Sequence, residues 1–255
     1  MIAAGMEPTY RPLPPRWSFG DLLLVAIWSV LAVLLLSVGA AGLLHILTGR
    51  DAGAMLVDHP VVVSAVLGGA IYGIFLVVIY LRIVRRADVG WRGIGFRRPP
   101  ILLLALTPLI AVGQLTAVAV TNLVLVSLIG EFDNPQVAAL TGGQGFSWLN
   151  YGLTLLLAGA VAPLVEEVIF RGLIYGWLRA RMPIVVAVIA SAAIFAAAHV
   201  IPLLLPALFV VGVILAIVYE YSGSLWTVIA LHAIQNSIAT TLIFLLLAFP
   251  QMATP

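Results

Sequence analysis

Seven apolar stretches decide what this chain can fold into. They cover residues 19–47, 60–84, 101–129, 148–178, 183–200, 203–219 and 225–249, and a helix needs about 20 apolar residues to cross a hydrocarbon core about 30 Å thick. A backbone in lipid has no water to satisfy its N–H and C=O groups, so each stretch must close its own hydrogen bonds as a helix. The sequence predicts an all-α, polytopic transmembrane helical bundle of seven to eight spans.

Composition agrees with lipid as the solvent, since only 9% of the 255 residues are charged against about 25% in an ordinary soluble domain. All the basic residues are arginine and almost all lie between the apolar runs. There they report orientation rather than a nucleic-acid partner. Arg11 and Arg16 precede the first run, and Arg82, Arg85, Arg86, Arg92, Arg97 and Arg98 fill the second connection, so both segments are expected in the cytoplasm. Glu131 and Asp133 stand in a loop with no basic residue, and Arg50 stands among Asp51 and Asp58, which places these loops outside. The expectation is a bacterial-type plasma membrane with the N-terminus inside. The proline-rich segment 1–18 reads as a cytoplasmic tail and residues 19–255 as a single membrane domain. The first apolar run exceeds the about 7–15 residues of a signal-peptide core and is expected to stay as an uncleaved span. With no cysteine in the chain, disulfides, thiolate metal sites and a cysteine nucleophile are excluded.

An ionisable side chain at membrane depth costs about 2.5–3.5 kcal/mol on insertion scales and is by default a functional candidate. Inside apolar sequence stand Glu166, Glu167 and Arg171 in APLVEEVIFRGLIYG, His199 in SAAIFAAAHV, and His232 with Asn236 in TVIALHAIQNSIA. Glu220 falls at a helix end and is expected to be less buried, and His45 and His59, near span ends, read as packing or solvated residues.

Consecutive helical residues point about 100° apart, so Glu166 and Glu167 cannot share one cavity. Glu167 and Arg171 form an i, i+4 pair, which makes Glu167 the structural partner and leaves Glu166 as candidate general base. The bland alternative is a buried ion-pair network that only holds helices together, and the second, unpaired carboxylate argues against it. Glu166 precedes Met182 by sixteen residues and His199 follows Pro183 by sixteen, each about 24 Å from the turn at 1.5 Å per residue. An antiparallel hairpin puts them at one level, within hydrogen-bond or one-water reach. His232 and Asn236 share a face, but His232 lies only about 10 Å into its span. Its arrival at the same level requires a sixth element bent, tilted or unwound near Pro202 to Pro206. Phe195 reads as packing that fixes the His199 ring.

Taken in order, Glu-Glu-x-x-x-Arg in Glu166 to Arg171, Phe-x-x-x-His in Phe195 to His199, and His-x-x-x-Asn in His232 to Asn236 resemble the motifs of the CPBP family. That family comprises CAAX-type prenyl endopeptidases and bacteriocin-processing or self-immunity (Abi) proteins. The resemblance covers roughly 148–250 as the protease core, with 19–147 as variable N-terminal spans. It implies an intramembrane endopeptidase in which Glu166 activates water, His199 assists, His232 and Asn236 polarise the scissile carbonyl or hold its oxyanion, and Arg171 fixes the carboxylates. Implied partners are the bilayer and a peptide or membrane-protein substrate, lipidated or not. Two His and two Glu make a donor set that zinc accepts, but the HExxH spacing is absent. The expectation is therefore a cofactor-free glutamate mechanism, with zinc or another divalent metal as its alternative. Two rivals come from other classes. One is a proton-coupled transporter, since intramembrane Glu and His also make relays. The other is a non-proteolytic scaffold or immunity protein.

Overall fold

A computed structural model describes residues 16–49, 53, 58–132 and 134–249. Arg11, Arg50, Asp51 and Asp133, and all of the tail 1–18 but its last three residues, lie outside the described residues. Helix α1 spans Phe19–Thr48, α2 Pro60–Arg85 and α3 Ile101–Ile129. A short α4, Pro135–Thr141, leads into α5, Trp148–Arg179, followed by α6 Ile184–Ala198, α7 Leu205–Ser222 and α8 Leu225–Ala248. No strand occurs among the described residues.

Six of these helices are long and apolar enough to cross a membrane. The fifth apolar stretch falls short of that: α6 has 15 residues, about 22 Å at 1.5 Å per residue. Pro202 stops it, because a residue before proline is driven out of the α region, and Ile201 is accordingly extended (φ −121°, ψ 93°). Between them Val200 turns the chain through the left-handed region at φ 55°, a strained conformation for a β-branched residue. The chain re-enters through a tight 3₁₀ turn, Pro202–Leu204, before α7 begins.

Helix α5 is not uniform. Pro163 has no N–H to give the carbonyl four residues earlier, and the turn before it widens into a π turn over Leu157–Val161; a second π stretch covers Val168–Tyr175. Such widened turns re-aim side chains and recur at functional sites. The first three spans bury much less of themselves than α5, α7 and α8 do, so the core sits in the C-terminal half, with α3 packed along α7 and α8. Helix α1 opens on a capping box between Ser18 and Asp21, and Asp21 pairs with Arg82 of α2 at 2.8 Å. Just ahead of α1, the Trp17 indole donates to Leu173 O of α5 at 3.3 Å.

The arginine-rich connection does not stay at the surface. Ile94 is fully buried, Gly95 (φ 121°) accepts the Leu225 N–H at 2.8 Å, and Ser224 Oγ donates to Arg97 O at 2.7 Å. Leu225 and Ile94 both pack on Gly172. Helix α8 therefore starts several residues deep, beside Gly172 in the last third of α5. The structure also corrects the expectation for Glu220. Although at a helix end, it is 1% exposed and accepts from Tyr175 Oη at 2.6 Å and Arg179 Nε at 3.0 Å.

Gly212 brings α7 onto α6: a Cβ there would lie 2.9 Å from Ala192 Cα, a backbone contact that cannot rotate away. Gly212→Ala should destabilise by about 1–3 kcal/mol through overpacking, seen as a lower thermal midpoint of the detergent-solubilised protein. An unchanged midpoint would contradict that packing.

Candidate active site

Arg171 and Glu167 lie one helical turn apart on α5 at zero side-chain exposure, with Arg171 Nη1 donating to Glu167 Oε1 at 2.8 Å. Arg171 Nη2 donates to Gly212 O of α7 at 3.1 Å, and the guanidinium lies over the Phe195 ring of α6, 4.7 Å from its centroid. The sequence pairs these two residues, and the structure places them together. It adds a third group. His232 Nδ1 of α8 meets the same Glu167 Oε1 at 2.7 Å, so Glu167 is more than the partner of Arg171.

The two imidazoles have different supports. Phe195 O, a carbonyl, can only accept, so in its 2.8 Å contact with His199 Nδ1 that nitrogen carries the proton and Nε2 of the neutral ring is left as an acceptor. His232 Nδ1 likewise donates, but to a carboxylate. Its Nε2 lies 3.9 Å from Glu166 Oε2, too far for a hydrogen bond. Phe195 packs against both rings in T-shaped contacts, with centroids 4.8 Å from His199 and 6.0 Å from His232.

Asn236 follows His232 by one turn and donates from Nδ2 to Ala158 O at 3.0 Å, a carbonyl in the first π turn of α5. Gly159 permits this approach, since a Cβ there would meet Ser237 Oγ at 2.6 Å. One N–H of the Asn236 amide remains to donate elsewhere. Glu166, His199, His232 and Asn236 all line one cavity of about 360 Å³, walled otherwise mainly by apolar side chains of α5, α7 and α8.

Of the hydrogen-bond or one-water reach expected between Glu166 and His199, the direct bond is not made: no hydrogen bond or ion pair among the described residues joins them, and Glu166 Oε1 accepts from Tyr72 Oη of α2 at 3.2 Å, while both side chains line the one cavity. The level at which His232 arrives comes from the recessed start of α8 as well as from the unwound segment before α7. Tyr72 and Gln136, from α2 and α4, also line the cavity. Neither was singled out from the sequence, where one tyrosine in an apolar run and one glutamine in a short loop helix carry no distinguishing pattern.

Residues 148–238 match the family model described as Rce1-like: Type II CAAX prenyl endopeptidase Rce1-like. Over these residues the chain is similar to that protease family, and the match leaves the first three spans outside it. Every polar residue singled out from the sequence for this site falls within the matched segment, whereas Tyr72 and Gln136 fall outside it. The chain has no match among curated proteins or solved structures.

Removing the charge from Glu167 leaves Arg171 buried without a counter-ion, at a cost of about 3–5 kcal/mol, and weakens the support of His232. Glu167→Gln should therefore lower both thermal midpoint and folded yield. A variant with wild-type melting would show that the pair is not holding the helices.

Proposed function

We propose that the chain hydrolyses peptide bonds of membrane-associated substrates with Glu166 as the base that activates water. The observation that carries this reading is the convergence of Glu166, His199, His232 and Asn236 on one cavity large enough for a water and a peptide group. Glu166 takes a proton as the water oxygen attacks the scissile carbonyl carbon. His199, its Nδ1–H engaged by Phe195 O, accepts from the same water through Nε2 and fixes its direction. The carbonyl oxygen becomes an oxyanion and is met by the free N–H of Asn236 and by Nε2–H of a protonated His232, whose positive charge the Glu167 carboxylate supports from Nδ1. The proton held by Glu166 then passes to the amine nitrogen as the C–N bond breaks. Each of these groups acts in a largely apolar cavity, where oriented donors are worth more than in water.

In this mechanism Glu166 acts without metal, with zinc or another divalent metal as the alternative; among the described residues no three His, Cys, Asp or Glu side chains come together so as to hold an ion. We place the chain in a bacterial-type plasma membrane, and the arginines between the spans support an N-terminus inside.

Reconstituted in nanodiscs and assayed on a fluorescence-quenched farnesylated CAAX reporter peptide, Glu166→Gln should lose about 10²- to 10⁴-fold in rate at an unchanged thermal midpoint. The wild-type enzyme should keep its activity in a divalent-metal chelator. A Glu166→Gln protein as active as wild type removes the base, and chelator inactivation reversed by zinc removes the metal-free mechanism. Because the chain has no cysteine, single cysteines report topology directly: one at Arg92 should react only from the cytoplasmic side and one at Gly143 only from outside. The reverse pattern overturns the orientation.

A further inference from the structure

We propose that Tyr72, on helix α2 and outside the matched CAAX-protease segment, is a positioning residue for Glu166, so that the reacting carboxylate is aimed by a span that does not belong to that segment. The inference rests on the reading of Glu166 as the base. Among the described residues Tyr72 is the one hydrogen-bond partner of Glu166, with Oη to Oε1 at 3.2 Å. An ionised carboxylate has no proton to give, so the phenol is the donor. That bond occupies one oxygen and leaves Oε2 turned toward His232 Nε2, 3.9 Å away, a gap that no direct bond fills and in which Oε2 keeps lone pairs for a water.

A glutamate side chain has three rotatable torsions, and a base that must meet a water within a few tenths of an ångström loses rate steeply when it wanders. The other charged groups of the site are held from two or more sides: Glu167 by Arg171 and His232, Arg171 by Glu167 and Gly212 O. Among the described residues Glu166 has Tyr72 as its one hydrogen-bond partner, with the His232 ring 3.9 Å from its other oxygen. The approach of α2 that makes this possible is set one turn earlier, where Gly68 lies against Leu157 of α5 so closely that a Cβ would come within 2.9 Å of Leu157 Cδ2. Gly68 and Tyr72 are i, i+4 and share a face, so the close contact and the hydroxyl belong to one docking surface.

Tyr72→Phe removes the hydroxyl and keeps the ring. On the reporter peptide in nanodiscs, kcat should fall roughly 10- to 100-fold with KM and thermal midpoint unchanged, as expected for loss of a hydrogen bond to a charged reacting group. In a Glu166→Gln background the same change should have no further effect on rate. Infrared difference spectra supply a readout that needs no turnover: the carboxylate band that disappears in Glu166→Gln should shift in Tyr72→Phe. A Tyr72→Phe enzyme with wild-type kcat, or one that loses only thermal stability, overturns the inference while leaving Glu166 as the base. A Glu166→Gln enzyme with wild-type kcat removes the base reading, and the positioning role with it. Should the wild-type protein leave the reporter intact, the infrared band decides the contact: a shift sustains it and an unshifted band overturns it.

Discussion

The Glu167–Arg171 pair carries two opposite charges at zero side-chain exposure inside a bundle that itself sits in lipid. Taking ions out of water costs several kcal/mol each, and their mutual attraction offsets this only when geometry and additional hydrogen bonds are good. Here the additional bonds come from other helices. Gly212 O of α7 takes one guanidinium N–H, His232 of α8 shares the carboxylate oxygen, and Phe195 of α6 offers its ring face. The energetic demand of one i, i+4 pair thereby fixes the register of α6, α7 and α8 against α5. That register is what places His199, His232 and Asn236 on one cavity.

Close backbone approach makes the demand satisfiable. Gly212 lets its carbonyl reach Arg171 only because it has no side chain to hold α7 away from Ala192, and Gly159 lets α8 come near enough for Asn236 to bond Ala158 O. Between membrane helices, where apolar burial gives little drive to associate, small residues and interhelical hydrogen bonds do this work together. Both glycines occupy positions where a polar contact forms within one residue, Gly212 in its own carbonyl and Gly159 beside Ala158.

What could be read from the sequence follows the periodicity that carried it. The antiparallel hairpin about Met182 and Pro183 is visible in residue counts, and the ring contact of Phe170 with Phe195 at 5.0 Å lies at the level those counts require. The i, i+4 pair of Glu167 with Arg171 is equally local. Contacts made by loops were not readable in that way. Nothing in the arginine-rich connection marks Ile94 and Gly95 as the seat of α8, so the recessed start of that helix could not be derived from hydropathy, and the burial of Glu220 rests on Tyr175 and Arg179, 45 and 41 positions away. Partners from distant spans escaped for a related reason: Tyr72 and Glu166 are 94 positions apart, and no spacing rule connects them. The Glu167–His232 bond escaped because a glutamate already satisfied by an arginine gave no reason to seek a second donor.

The two histidines show how backbone context divides labour between chemically identical side chains. His199 stands at the end of a helix that a proline has cut short, and its Nδ1–H bonds a carbonyl of its own last turn. Such a partner fixes the tautomer without supplying a charge. His232 stands mid-helix against a carboxylate that is itself neutralised by arginine, a partner able to stabilise an imidazolium as well as to orient the ring. In the proposed mechanism one ring accepts a hydrogen bond from water and the other donates one to an oxyanion, and these different tasks call for different supports. The sequence provides the difference through Pro202, which ends α6 at His199, and through Glu167, whose position beside Arg171 keeps a negative charge at a depth where an isolated carboxylate would be expensive.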